Sequence, residues 1–83
     1  MPHRLSGARK RLVGTKQTLK ALQGGEAKVV YIAKDADERV LRPLRNALVG
    51  RDVEVVEVES MQQLGRLCGI EVGAAAAALL GNE

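Results

Sequence analysis

The segment GTKQTLK at residues 14–20 offers the clearest chemistry in this sequence. Backbone N–H groups at a helix start have no partner within the helix, so a start that follows a flexible glycine such as Gly14 can hold a phosphate. Lys16 can donate to guanine O6 or N7, and Gln17 can both donate and accept hydrogen bonds at base edges. The segment therefore indicates nucleic-acid binding, although a solvated helix start with the same residues and no ligand is commonplace.

Catalytic and metal-binding constellations are missing from the sequence. Cys68 falls on the apolar stripe of a predicted helix, and the single histidine, His3, is the only base that could activate its thiol. Asp35, Asp37 and Glu38 could bind a metal ion, but helix capping explains them more simply. Neither GxxxxGK[S/T] nor GxGxxG occurs. We predict no catalytic residue, no metal site, no cofactor and no enzymatic activity.

Length and composition predict a single domain over residues 1–83. A chain of this size hides only about 60–65% of its unfolded surface, which leaves little room for an enclosed active site. Tyr31 is the only aromatic residue, which argues against RNA recognition by bases stacked on an aromatic sheet. The lone cysteine and the lack of a signal-like or membrane-spanning stretch predict a cytoplasmic protein without a membrane partner. A monomer is expected.

Charge is distributed unevenly along the chain. Residues 1–25 carry six basic and no acidic side chains, residues 26–49 have a net charge of +1, and residues 50–83 have a net charge of −4. This asymmetry predicts one basic face for a polyanion, with RNA phosphates as the obvious candidate. The alternative is an ordinary mixed surface on which the charges interleave once the chain is folded.

The N-terminal part of the chain predicts two helices followed by a strand. A basic helix is predicted over residues 5–12 and a second helix over residues 15–22, with Thr15 as its N-cap and Gly24 in its stop signal. The run KVVYIA, rich in β-branched residues, predicts a strand at residues 28–33.

A third helix is predicted in the middle of the chain. Asp35 and Glu38 have the spacing of a capping box, and apolar residues follow at helical intervals. Pro43 lies inside this pattern and would remove a helical hydrogen bond, so the regular part of the helix is predicted to begin near Leu41.

The C-terminal part of the chain predicts a strand, a helix and a final strand. VEVVEV at residues 53–58 is the clearest strand, and a capping box at Ser60 opens a helix that ends at Gly69. The five alanines at residues 74–78 favour a helix by propensity, but their position after a helix favours a strand buried on both faces, which we predict. Strands that alternate with helices predict parallel pairing in a layered α/β fold.

Three segments of the sequence resemble the L7Ae family of kink-turn-binding ribosomal proteins, and most closely its short bacterial branch. They are GTKQTLKAL, VVYIAKDAD and ESMQQLGRLCGIEVGAAAAALL. The resemblance implies an α/β fold, a three-layer α/β/α sandwich with a mixed four-stranded sheet. It also implies binding to kink-turns, RNA elements in which a short bulge and tandem sheared G·A pairs bend the helix sharply.

The resemblance assigns roles to five residues at the helix start. Gly14 would allow close approach of the RNA, and Thr15 would open the helix that enters the major groove at the kink. Lys16 and Gln17 would face the G·A pairs, and Lys20 would meet a phosphate. Many archaeal and eukaryotic relatives have Asn-Glu where this chain has Lys-Gln, so an amide replaces a carboxylate acceptor for guanine donors. The exchange either loosens base specificity or is a trait of the bacterial branch.

The resemblance also implies a second contact, from the loop that contains Ile70, Glu71 and Val72. In the family this loop packs against the bulged nucleotides and their backbone. Asp37 and Leu41 match positions that touch an extruded base in some family members.

The implied partner is a structured RNA with a kink-turn, either ribosomal RNA or a regulatory messenger-RNA element, with the ribosome as a further expected partner. A second hypothesis is a small protein–protein interaction module whose basic N-terminal region serves an acidic partner. Substitution of Lys16 and Gln17 discriminates between the two hypotheses, because loss of these side chains should remove RNA binding without unfolding the protein.

Overall fold

The computed structural model describes residues 11–80 of the chain, which form four strands and three helices. Their bounds are β1 Arg11–Val13, α1 Thr15–Gln23, β2 Ala27–Ala33, α2 Glu38–Leu48, β3 Glu54–Val58, α3 Met61–Cys68 and β4 Ala76–Leu80. The strands predicted at residues 28–33 and 53–58 are confirmed to within one residue. The predicted helix at residues 5–12 lies outside the described residues up to residue 10, and its last two residues belong to β1 instead.

The sheet is mixed, with the strand order β1-β4-β2-β3. β2 and β3 are parallel, as predicted, whereas β4 is antiparallel to both β1 and β2. The prediction of parallel pairing is therefore wrong for the last strand. After α3 the chain doubles back along the helix, and Ala74 N donates to Met61 O at 3.0 Å. β4 thus begins at the end of the sheet where β3 finishes and α3 starts, so it runs in the opposite direction to β3.

The helices cover the two faces of the sheet and complete the predicted three-layer α/β/α sandwich. α1 packs against α2 and the central strand β4, while α3 packs against β2, β3 and β4. The alanine run is confirmed as a strand: Ala76, Ala77 and Ala78 are fully buried in β4. Their small side chains let the helices pack close to the central strand. The largest fully buried aliphatic side chains are those of Leu22, Val30, Ile32, Leu41, Leu44 and Leu64.

The start of α2 differs from its prediction. Asp37, not Asp35, is the N-cap, and its carboxylate accepts a hydrogen bond from Arg39 N at 2.8 Å. The helix begins at Glu38 rather than near Leu41, with Pro43 inside it. Pro43 and Arg39 are both exposed, so the Arg39 carbonyl that Pro43 leaves without its helical donor can face solvent.

The start of α3 matches its prediction and adds a second cap. The Ser60 hydroxyl accepts from Gln63 N at 3.0 Å, as the capping box predicts. Asp35, predicted to open α2, instead accepts a hydrogen bond from Met61 N at 2.8 Å. A residue that follows β2 thus satisfies the first N–H of α3, the helix that follows β3. Gly69 ends α3 in the left-handed conformation, as predicted from its position.

Thr18 of α1 is fully buried, and its hydroxyl has no hydrogen-bond partner among residues 11–80. Such a hydroxyl gives up its hydration without compensation. Thr18→Val replaces it with a methyl group of nearly the same shape, so we expect the free energy of unfolding to rise by about 1 kcal/mol. Urea unfolding measures this change, and a fall in the free energy of unfolding would contradict the expectation.

Candidate nucleic-acid interface

Gly14 fixes the position of the start of α1 and leaves its first N–H groups without a side-chain cap. This glycine, not Thr15, is the N-cap; its φ of 113° lies outside the range of most other residues. Gly14 N donates to Ala76 O at 2.8 Å, which bonds the helix start to β4, and Gly14 O accepts from Thr18 N at 3.0 Å. No side chain caps the helix. The N–H groups of the first turn therefore remain available to a ligand.

The exposed side of α1 is basic and lines a surface pocket of about 420 Å³. The predicted residues Lys16, Gln17 and Lys20 line it and are all exposed. The first turn of α1 contains no acidic residue. Within the part of the chain that the structure describes, no carboxylate lies within ion-pair distance of either lysine. This charge is therefore free to meet phosphate.

A second, smaller cleft of about 150 Å³ separates the starts of α1 and α2. Apolar side chains dominate its walls, with Lys16 at one side; the lining residues are Thr15, Lys16, Leu19, Val40, Pro43 and Leu44. Val40 is 43% exposed in this cleft. Val40 was not among the residues predicted to contact RNA, and its only signal in the sequence is its place next to the predicted Leu41.

The loop predicted as the second RNA contact, residues 70–72, lies against α3 because two glycines leave room for it. A β-carbon on Gly65 would collide with Val72 O and lie 3.3 Å from Gly73 Cα, and one on Gly73 would lie 3.2 Å from Met61 Cβ. Ile70 N also donates to Gly65 O at 3.0 Å. Sequence reasoning missed Gly65, whose signal is a glycine inside a helix, where it weakens the helix by about 1 kcal/mol relative to alanine.

The loop presents its side chains to solvent. Ile70 is partly buried against the core, while Glu71 and Val72 are exposed. Val72 has 70% of its surface exposed, so its apolar side chain is accessible to a ligand.

The helix start and the loop are joined through β1 and β4. Four residues after Val72, Ala76 O accepts from Gly14 N. At the other end of β1, the Arg11 guanidinium donates to Cys68 O at 2.7 Å, two residues before Ile70. The fold therefore brings together two segments that are more than fifty residues apart in the chain.

Asp37 and Leu41, both predicted to touch an extruded base, differ in exposure to solvent. Asp37 is exposed, and the backbone and side-chain hydrogen bonds of Arg39 hold the pKa of its carboxyl below its usual value. Leu41 is fully buried in the core. Leu41 is therefore not available to RNA, and we leave it out of the candidate nucleic-acid interface.

The remaining candidates for chemistry have structural roles or fall outside the described residues. Cys68 is fully buried; burial raises the pKa of its thiol, and the positive charge of Arg11 partly opposes this. In residues 11–80, no three His, Cys, Asp or Glu side chains are grouped as a metal site would require. None of the three helices is long and apolar enough to span a membrane. His3 lies outside the described residues.

A family model described as the Ribosomal protein L7Ae/L30e/S12e/Gadd45 family matches residues 4–83 of the chain. The chain belongs to this family. Its resemblance to the L7Ae family is thereby confirmed, and membership of this ribosomal-protein family supports the prediction that the chain is not an enzyme.

Two relatives illustrate the range of the L7Ae family. A protein of Caldanaerobacter subterraneus named as an RNA-binding protein is 49% identical over 69 residues, which cover 83% of this chain and 84% of the relative. The large ribosomal subunit protein eL8 of Halobacterium salinarum is 40% identical over 68 residues, which cover 81% of this chain and 57% of that protein.

Solved structures share the fold. The 15.5kD RNA binding protein of Giardia lamblia has a TM-score of 0.85 at 27% identity and is matched over 98% of this chain and 68% of its own. A Bacillus halodurans protein of unknown function has a TM-score of 0.78 at 26% identity, over 93% of this chain and 77% of its own. The predicted α/β fold with a mixed four-stranded sheet is confirmed.

Gly65→Ala tests how the loop is seated. The added methyl group must displace the Val72 carbonyl, so we expect the free energy of unfolding to fall by about 1–3 kcal/mol and the amide resonances of residues 70–73 to shift. Gly24→Ala is the matched control, because a β-carbon there meets only ordinary contacts and its φ is −84°. A Gly65→Ala protein as stable as the control, with unshifted loop resonances, would contradict this account.

Proposed function

We propose that this chain is an RNA-binding protein that recognises and stabilises kink-turns. The observation that carries the proposal is the start of α1, which has no side-chain cap and exposes Lys16, Gln17 and Lys20. The exposed loop 70–72 adds a second surface, and the chain that follows it is bonded to the same helix start through Ala76. Relatives named as RNA-binding proteins and as a large ribosomal subunit protein support the same partner.

The start of α1 reads the kink. Ordinary duplex RNA has a deep, narrow major groove that side chains cannot enter, but a sharp bend at tandem sheared G·A pairs widens it. Gly14 has no side chain to obstruct the backbone, and Thr15 opens the helix into the groove. Lys16 and Gln17 hydrogen-bond base edges of the G·A pairs, while Lys20, one turn further on, contacts a phosphate.

The loop and the start of α2 hold the bulge. Val72 and Ile70 supply apolar surface on which the unstacked nucleotides pack, and Glu71 can accept hydrogen bonds from base or ribose donors. Asp37 stands at the start of α2, where its carboxylate can meet an extruded base.

Binding of this kind selects a conformation and makes or breaks no bond. Free kink-turn RNA exchanges between extended and bent forms, and a protein that contacts only the bent form shifts the balance by its difference in affinity. We propose that the protein does this as a cytoplasmic monomer associated with the ribosome, on ribosomal RNA or on a regulatory messenger-RNA element.

Lys16→Ala combined with Gln17→Ala removes the two base-reading side chains. We expect the Kd for a kink-turn RNA, measured by gel-shift titration, to rise about a hundredfold, or roughly 2.7 kcal/mol. The free energy of unfolding should be unchanged, because both side chains are exposed.

Lys28→Ala is the control for this double substitution. Lys28 is also an exposed lysine, but it lies at the start of β2, at the end of the sheet opposite the helix starts. An equal loss of affinity in the double variant and in the control would reduce the interface to nonspecific charge attraction. No loss in the double variant would favour the protein–protein interaction module.

The salt dependence of binding reports the phosphate contacts. If the basic surface neutralises about three to five phosphates, log K should fall with log salt at a slope of about −0.7 to −0.9 per contact. A titration in which affinity does not change with salt would contradict a phosphate-binding surface.

A further inference from the structure

The proposed RNA surface combines two segments, the start of α1 and the loop 70–72. β1 leads into the first segment and is hydrogen-bonded to the end of α3, where the second begins. One end of β1 is fixed by the backbone bond from Gly14 to Ala76. The other end is fixed by a side chain: Arg11 Nη2 donates to Cys68 O at 2.7 Å, across 57 residues of sequence. β1 has only three residues. A strand this short depends on the anchors at its ends for a defined position.

The guanidinium group of Arg11 lies at the C-terminal end of α3, where carbonyl groups have no donor within the helix. Its bond to Cys68 O is charge-assisted and partly buried, so it is stronger than a bond between neutral groups in solvent. The positive charge also complements the negative end of the helix dipole. Among lysine and arginine, the planar fork of arginine is better suited to a fixed geometry of this kind.

The bond is made where the loop leaves the helix. Gly69 follows Cys68 with a φ of 79°, and a β-carbon there would lie 3.6 Å from the same Arg11 nitrogen. The next residues are those of the loop, whose far side rests on Gly65. Arg11 therefore bonds β1 to the residue from which the loop starts, while the end of the loop lies against Gly65 of α3.

We propose that Arg11 is a positioning residue for RNA recognition, which fixes the loop 70–72 relative to the start of α1 by bonding β1 to the end of α3. This inference rests on the proposed function. With the two segments preorganised, the RNA meets one rigid surface and little ordering is needed on binding. Without Arg11 the segments move separately, so affinity falls although no RNA contact has been removed.

Two variants test this role. Arg11→Met keeps much of the side-chain length but removes the donor and the charge, whereas Arg11→Lys keeps the charge. For Arg11→Met we expect the Kd for a kink-turn RNA to rise about tenfold with the slope of log K against log salt unchanged, and for Arg11→Lys a smaller rise. A slope reduced in magnitude by about 0.7–0.9 in Arg11→Met would show a direct phosphate contact and overturn the positioning role.

Spectra of the free protein separate failure of this inference from failure of the proposed function. Arg11→Met should shift the amide resonances of Ile70, Glu71 and Val72 and leave that of Lys28 in place. Unshifted loop resonances would overturn the inference, and so would a rise in Kd that vanishes after correction for the folded fraction. If Arg11→Met does not fold, Arg11→Lys supplies both measurements. A wild-type protein without preference for kink-turn RNA would overturn the proposed function instead.

Discussion

The central strand β4 is the constraint on which the rest of the structure depends. It pairs with β1 on one side and β2 on the other, and its alanines are fully buried between the helical layers. Because alanine has no side chain beyond Cβ, α1 can lie close to the strand, and Gly14 at its start can reach Ala76 O. The position of the start of α1 is therefore set by backbone bonding to the central strand of the sheet.

Backbone geometry also shapes the surface itself. Gly14, which has no side chain, leaves α1 without a side-chain cap, and Gly65 supplies the space in which the loop 70–72 lies against α3. The polar side chains add charge and hydrogen-bonding groups to a shape that these glycines define. In a protein that selects one conformation of a flexible RNA, such rigidity is as necessary as the contacts, since a deformable surface would accept bent and extended forms alike.

Much of this could be predicted from local sequence signals. The β-branched run at residues 28–33 and the capping residue Ser60 each carry enough local information to fix an element, and burial on both faces explains why the alanine run is a strand. What could not be predicted depended on contacts distant in sequence. β1 is too short for a periodic pattern, Asp35 caps a helix 26 residues away, and the reversal of β4 follows from the path of the loop over Gly65.

The most direct test of the account compares the affinity of the protein for two RNAs in one gel-shift titration. The first is a kink-turn, and the second is the same RNA with its sheared G·A pairs replaced by Watson–Crick pairs, which removes the bend but leaves length and charge almost unchanged. The account predicts binding at least about tenfold tighter to the first, a difference of roughly 1.4 kcal/mol. Equal affinity for the two RNAs would contradict it.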